Sequence, residues 1–226
     1  MNIAIIGAGN VGKALGASFA RAGHKVIYAA RTEEHARAAA QAVKGHAFDV
    51  VEAAQRGEIV VLAVPYASAA QEVAAAIEPV VKGKVVVDVS NPLKPDYSGL
   101  ATNGGPSAAE SFVAWLPGAR IVKAFNTMFA QVQADPKIHG VEIDAFFATD
   151  DDDARACVAD LIRSMGFRPV YVGPLVRARE LEALGFLNIQ LQLGAGGDWR
   201  TAFSMIGAPK GALEHPATEH AAAKSE

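Results

Sequence analysis

Six residues near the start of the chain, Gly7-Ala8-Gly9-Asn10-Val11-Gly12, have the types and spacing needed to hold a pyrophosphate. The first glycine permits a tight turn, the second lets a phosphate approach the backbone, and the third lets a helix pack closely on a strand. Free N–H groups at the start of a helix opening at Asn10 would point at the anion. Glycine turns arise by chance in a chain with 21 glycines. This one directly follows the apolar run Ile3-Ala4-Ile5-Ile6 and opens a helical pattern, and that context predicts dinucleotide binding.

The end of the second strand distinguishes the two nicotinamide cofactors. A site for NAD ordinarily places an acid there to accept from the ribose 2′-hydroxyl. Here the chain reads Ala29-Ala30-Arg31-Thr32, with no acid until Glu33. Arg31 can fork onto a 2′-phosphate and Thr32 can donate its hydroxyl beside a helix N-terminus, so NADP(H) is the expected cofactor.

Further candidates lie where other strands end, because the carboxyl ends of strands line the ligand crevice of an open α/β sheet. Val64 and Pro65 are expected on the adenosine and ribose side. Asn91, in Val89-Ser90-Asn91-Pro92, and the end of strand six, Ala124-Phe125-Asn126-Thr127, are expected nearer the nicotinamide. Tyr66 reads equally as a surface aromatic and Phe125 equally as core.

Acid–base and metal chemistry leave few traces. Reduction of a carbonyl or imine needs a proton donor close to the nicotinamide, often Lys, Tyr or His. No lysine stands one turn before Asn188 in the late helix; Lys94 and Lys123 remain, both at loop or strand ends where a lysine is expected to be solvated. The six histidines lack metal-ligand spacing except, loosely, His215 and His220, so no metal is expected. No catalytic side chain is assigned. Such a lean site favours an acceptor ring that brings its own electronics and needs mainly positioning.

The elements that must hold these residues alternate strand and helix from the first residue. Strands are expected at 2–6, 25–30, 46–48, 58–64, 84–89 and 120–125. Helices are expected at 10–22, from Thr32, at 49–57, after Pro65 to about 77, and at 107–116. Strand 58–64 is the most apolar and is expected to be central. Further on come a strand at 143–149, a helix entered through Asp150-Asp151-Asp152-Asp153, a strand at 168–172, a helix at about 178–193 and an amphipathic stretch at 199–206. The fold class is therefore α/β, a doubly wound parallel sheet of the Rossmann type with a small C-terminal α/β lobe. Its expected divisions are residues 1–149, 150–206 and a tail at 207–226.

Composition bounds the function. The chain has 226 residues, 51% of them hydrophobic, and a formal net charge of −3. That mild acidity argues against nucleic-acid binding. The longest apolar stretch, residues 59–70, is broken by Pro65 and is shorter than the ~20 residues a spanning helix needs, so no membrane association is expected. A single cysteine and the lack of an export-like start predict a cytoplasmic protein.

Several motifs in one order resemble a known family. They are the glycine loop, Ala30-Arg31, Val61-Leu62-Ala63-Val64-Pro65 and Val87-Asp88-Val89-Ser90-Asn91-Pro92-Leu93. Val122-Lys123-Ala124-Phe125-Asn126-Thr127, Gly173-Pro174-Leu175 and Ala178-Arg179-Glu180-Leu181-Glu182 complete the set. Over about residues 1–193 the chain resembles the NADPH-dependent reductases of the deazaflavin coenzyme (factor 420). It also resembles the related bacterial dinucleotide-binding proteins and the reductase domain of the six-transmembrane metalloreductases. The resemblance implies hydride transfer between NADP(H) and a deazaflavin, or a flavin such as FMN or FAD. It places Arg31 and Thr32 at the 2′-phosphate, Asn10 and Val11 under the pyrophosphate, and Asn126, Thr127, Met128, Phe129 and Ala130 beside the nicotinamide and the acceptor ring. Archaeal deazaflavin reductases carry a histidine where Asn126 stands, so this version is closer to the metalloreductase domain. The resemblance also implies a homodimer, for which the helix at 178–193, with Leu181, Leu184, Leu187 and Leu191, would suit an interface or equally a private core. Two rival readings are a reductase of a small carbonyl or imine, and a module that senses NADP(H) without catalysis.

Overall fold

In a computed structural model, residues 1–66, 68–207 and 209–213 are described. The strands are β1 (Asn2–Ile6), β2 (Lys25–Ala29), β3 (His46–Ala47), β4 (Ile59–Leu62), β5 (Val85–Asp88), β6 (Arg120–Ala124), β7 (Lys137–Ile138), β8 (Val141–Glu142), β9 (Asp144–Thr149) and β10 (Arg168–Tyr171). The helices are α1 (Asn10–Arg21), α2 (Glu33–Ala42), α3 (Val50–Arg56), α4 (Ser68–Ile77), α5 (Ala108–Trp115), α6 (Ala130–Ala134), α7 (Asp152–Ser164), α8 (Ala178–Ala195) and α9 (Lys210–Leu213).

Eight strands form one sheet in the order β10-β9-β6-β5-β4-β1-β2-β3. β4 lies inside it, between β5 and β1, as its apolar run predicts. Successive residues of each inner strand enter opposite cores because strand side chains alternate between faces. Ile3, Ile5, Val26, Tyr28, Val61 and Val87 join Leu15 and Phe19 of α1 and Val158 and Leu161 of α7. Ala4, Ile6, Ile27, Val60, Leu62 and Val86 join Ala53 of α3, Ala74 of α4 and Phe112 of α5. Both faces are thus covered, which is why these strands read as continuous apolar runs. From β1 the chain winds to β2 and β3 on one side and from β4 to β5 and β6 on the other. The loops after β1 and β4 therefore diverge and open a crevice.

The fold class is the expected one, and two details differ. The sheet is not wholly parallel: β9 runs antiparallel to β6, with Ala124 opposite Phe147 and Val122 opposite Thr149. The connection holds only the five-residue α6 and the β7–β8 hairpin, turning at His139 and Gly140 with positive φ. Nothing there is long enough to carry the chain back across the sheet, so β9 enters from the end where β6 leaves. The four aspartates do not all serve one helix start. Asp151 caps α7 through Ala154 N–H, Asp152 and Asp153 fill its first turn, and Asp150 instead accepts from Leu175 N–H at 2.9 Å. The amphipathic stretch at 199–206 is an irregular strap, tied at Met205 to Asp144 and Arg168.

Thr32 stands at the N-cap of α2, but its side chain makes no capping bond. The division expected at 149/150 falls between β9 and α7, within the continuous sheet, since β10 pairs with β9. α8 then crosses toward the crevice, packing Leu181 on Phe146, Ala148 and Val170. Among the described residues, no helix is long and apolar enough to cross a membrane. His215 and His220 lie outside the described residues.

Candidate functional site

The glycine loop has the geometry its spacing predicts. Gly7 leaves β1 with φ +119°, and its N–H donates to the Ala29 carbonyl at 2.8 Å. A Cβ on Gly7 would sit 2.2 Å from the Ala63 oxygen, and one on Gly12 would sit 2.0 Å from the Gly7 oxygen. Both are closer than any side chain tolerates, so these two positions exclude everything but glycine. A Cβ on Gly9 would meet nothing within 4 Å, so the open space of the crevice begins there. Gly9 precedes α1 in an extended conformation with no side-chain cap, leaving first-turn N–H groups available to an anion. The buried Tyr28 hydroxyl donates to the Gly12 carbonyl at 3.0 Å and ties α1 to the sheet. Burial pushes its ionisation upward, so it stays a donor at any ordinary pH.

Two cavities flank this loop. One, of about 560 Å³, is lined by Gly7, Gly9, Arg31, Val64 and Pro65 from the sequence-named set, with Lys13 and His35 added. Three basic side chains thus share it, with Glu72 the carboxylate among its lining residues. His35 lies in the first turn of α2, while Arg31 precedes the Thr32 N-cap, so helical spacing alone does not pair them. The other, of about 500 Å³, is lined by Asn10, Val11, Asn91, Phe125, Asn126, Thr127, Met128 and Ala130 from the named set. Phe129, Tyr97, Gln133, Gly185, Ile189 and Trp199 also line it. Its described lining contains no carboxylate, lysine, arginine, histidine or cysteine.

Gly12, Thr32 and Pro92 line neither cavity. Gly12 lies behind the loop, Thr32 is exposed at the start of α2, and Pro92 is buried with its carbonyl accepting from Ala101 N–H at 2.6 Å. Tyr66 is not a free surface aromatic. Its ring stacks on Trp115 with centroids 6.0 Å apart, and its hydroxyl meets Ser111 Oγ at 2.9 Å.

Amides fix the inner wall of the second cavity. Asn91 Nδ2 donates to the Asn126 carbonyl at 2.8 Å, and Asn126 Nδ2 donates to Asn91 Oδ1 and to the Leu181 carbonyl, each at 2.9 Å. Two acceptors on one side decide which way the Asn126 amide faces. Gly185 of α8 lets this pair sit close, since a Cβ there would come 2.7 Å from Asn91 Oδ1. Asn188 continues the contact, donating from Nδ2 to the Thr127 carbonyl at 3.1 Å.

Lys123 contradicts its expected solvation. It is 0% exposed, and its Nζ donates to Asp88 Oδ2 at 2.7 Å, Glu182 Oε1 at 2.9 Å and the Ser90 carbonyl at 2.5 Å. Asp88 Oδ1 in turn accepts from Ser90 N–H at 2.8 Å, and Glu182 Oε1 accepts from Ala108 N–H at 2.9 Å. The ammonium is therefore consumed in joining β5, β6, α5 and α8 beneath the cavity, and lines neither cavity itself. Burial raises the Glu182 carboxyl above the ordinary range, opposed by Lys123. Lys94 also lines neither cavity.

Comparison with known proteins fits this geometry. A family model described as NADP oxidoreductase, coenzyme F420-dependent, matches residues 2–92. The metalloreductase STEAP3 of Rattus norvegicus is 35% identical over 103 residues, which is 45% of this chain and 20% of that protein. The chain spans between 20% and 36% of the length of the curated relatives it matches first. A solved structure from Arthrobacter sp. FB24, described as a candidate F420-dependent NADP reductase, superposes with TM-score 0.82 at 28% identity, covering 90% of this chain and 98% of that one. A hypothetical protein of Sinorhizobium meliloti, SMa0349, is 33% identical with TM-score 0.67, over 79% of this chain and 87% of that one.

Proposed function

The chain belongs to the family described as coenzyme F420-dependent NADP oxidoreductases, and from that membership we propose that it transfers hydride between NADP(H) and the ring of a deazaflavin or flavin. The observation that carries this reading is the uncharged described lining of the second cavity beside a basic first one. The first cavity suits the adenosine 2′-phosphate, held by Arg31 with Lys13 and His35 nearby. The open face at Gly9 suits the pyrophosphate. When bound, NADPH supplies the hydride and the acceptor ring receives it, with a solvent proton completing the reduction. The chain's own residues then have only to bind and orient. Asn91, Asn126 and Thr127 hold the inner wall rigid, and Val11, Val89 and Met128 keep water from the reacting faces. The described lining holds no carboxylate, lysine or histidine, and Tyr97, 50% exposed, is the one phenol there that could give a small carbonyl or imine its proton.

The test is the loss of NADPH absorbance with deazaflavin coenzyme, FMN, FAD, ferric chelate and a small carbonyl or imine offered in turn. Turnover with the deazaflavin or a flavin is expected. Turnover with the carbonyl or imine alone would overturn the reading; tight NADPH binding without any turnover would favour a sensor.

The single cysteine fits a cytoplasmic setting, and α8 fits a homodimer. Leu181 is buried and Leu184 packs on the inner cluster, whereas Leu187 and Leu191, one turn apart, are 50% and 53% exposed. Light scattering at micromolar concentration should give twice the chain mass, and Leu187→Glu with Leu191→Glu should give the monomer. A monomeric native protein would remove the dimer.

A further inference from the structure

Six described non-glycine residues have left-handed backbone: Lys44, Tyr97, Asn103, Phe125, His139 and Trp199. That conformation is ordinarily left to glycine or asparagine, because a Cβ crowds the neighbouring carbonyl. All three of the large aromatics in the set, with φ of 57°, 62° and 60°, line the same cavity beside the glycine loop. Each is fastened there by a glutamine. Gln190 Nε2 donates to the Tyr97 carbonyl at 3.0 Å, Gln133 Nε2 to the Phe125 carbonyl at 3.0 Å, and Trp199 N–H donates to Gln192 Oε1 at 2.9 Å. Two of these glutamines, Gln133 and Gln192, are themselves buried.

The Trp199 anchorage goes deeper into the site. Gln192 Nε2 donates to Thr201 Oγ1 at 2.8 Å, and that hydroxyl donates to Asn188 Oδ1 at 2.7 Å. Asn188 is the residue that also reaches the Thr127 carbonyl. The indole then meets Phe129 edge to face, with centroids 5.1 Å apart and planes at 85°. Strained residues persist where the surroundings over-determine them, and they gather at ligand clamps. Tyr97 and Trp199 each sit at the centre of a turn closed by an aspartate, Ser98 N–H donating to Asp96 Oδ1 and Arg200 N–H to Asp198 Oδ1, both at 3.0 Å, and these two turns set their rings on one uncharged space.

We propose that Tyr97, Phe129 and Trp199 form an aromatic enclosure that receives the planar fused ring of the second substrate. In it, Trp199 is the largest of the lining aromatics. The proposal rests on the hydride-transfer reading for the identity of the ring as electron acceptor, but not for its binding. Aromatic faces hold flat π-systems by stacking and edge contacts with little demand on hydrogen bonding. Phe125, 0% exposed, packs its ring on Phe19 in the core and supports the enclosure from behind, while Tyr97 is half exposed. Gln133, Gln190 and Gln192 are positioning residues.

The chain has two tryptophans, so Trp115→Phe leaves Trp199 as the sole indole reporter. FMN and the deazaflavin coenzyme are titrated into this variant with saturating NADP⁺ already present. Saturable quenching of Trp199 is expected; its absence with both rings overturns the enclosure. In the native background, Trp199→Ala should weaken ring binding about tenfold, read by the ring's own fluorescence polarisation, with Trp199→Phe recovering most of it. NADPH affinity should be unchanged in both. Unaltered ring binding in Trp199→Ala, or a loss confined to NADPH, would overturn the assignment. Quenching without any turnover would instead uphold the enclosure and remove the hydride-transfer reading, so the two failures are distinguishable.

Discussion

Replacing Lys123 by methionine is expected to cost the fold about 3–5 kcal/mol at neutral pH, the range for removing one partner of a buried ion pair. The substitution roughly keeps the volume and removes the charge together with its three hydrogen bonds. It strands Asp88 and Glu182, which are 0% and 1% exposed, with no counter-ion between them. Burial already raises the Glu182 carboxyl, and losing the ammonium that opposes it raises it further. A carboxyl whose folded pKa exceeds its unfolded one stabilises the fold most below the unfolded value, and that contribution is lost as pH rises through the folded one. The deficit of Lys123→Met should therefore shrink as urea unfolding is moved from neutral pH toward the unfolded carboxyl range. Lys123→Met with Glu182→Gln should recover part of the loss at neutral pH, because one stranded charge has gone. A deficit under about 1 kcal/mol at neutral pH would mean that the three charges contribute little. NADPH turnover should fall in either variant even where it folds, since Ser90 and Asn91 are held through Asp88 and Lys123.

That lysine also marks how far the sequence could be read. Gly7, Gly9 and Gly12 were legible because their constraints are local: a turn, an approach and a packing contact within six residues. The positions of β1, β2, β4 and β5 were legible because both faces of each strand are covered and the side chains entering the cores are apolar, and β6 was legible from Ile121 and Val122 although Lys123 interrupts its run. Lys123 was not, since its partners lie 35 and 59 residues away and only the crossing of α8 brings Glu182 beneath β6. Taken alone, a lysine at a strand end reads as solvated. Trp199 was legible as an apolar residue but not as a wall, because its place depends on Gln192 and Thr201 fixing an irregular strap. The antiparallel β9 was hidden for a related reason. It is decided by the absence of a crossover helix, and α6 and the β7–β8 hairpin are too short to leave a periodic signal.

Arg31→Ala should weaken NADPH binding about tenfold to a hundredfold while changing NADH binding little, as expected for one charge-assisted, two-pronged contact of about 1.5–3 kcal/mol. The selectivity follows from chemistry, since the two cofactors differ only in a 2′-phosphate carrying nearly two negative charges. Arg31 follows β2 in a basic cavity, and the usual acid that would accept from a free 2′-hydroxyl is replaced by Ala29 and Ala30. Equal losses for NADPH and NADH would remove the 2′-phosphate contact from Arg31 and shift it to Lys13 or His35, which share the cavity. Those two neighbours also limit the expected effect. With Arg31 removed, an imidazole and an ammonium still face the anion, so the residual preference for NADPH should persist at low salt. Above about 0.1 M salt, where exposed charges beyond about 10 Å are screened, it should fall away faster than in the native protein. The planar fork of arginine keeps its short bonds in salt, whereas the longer-range attraction left behind in Arg31→Ala does not.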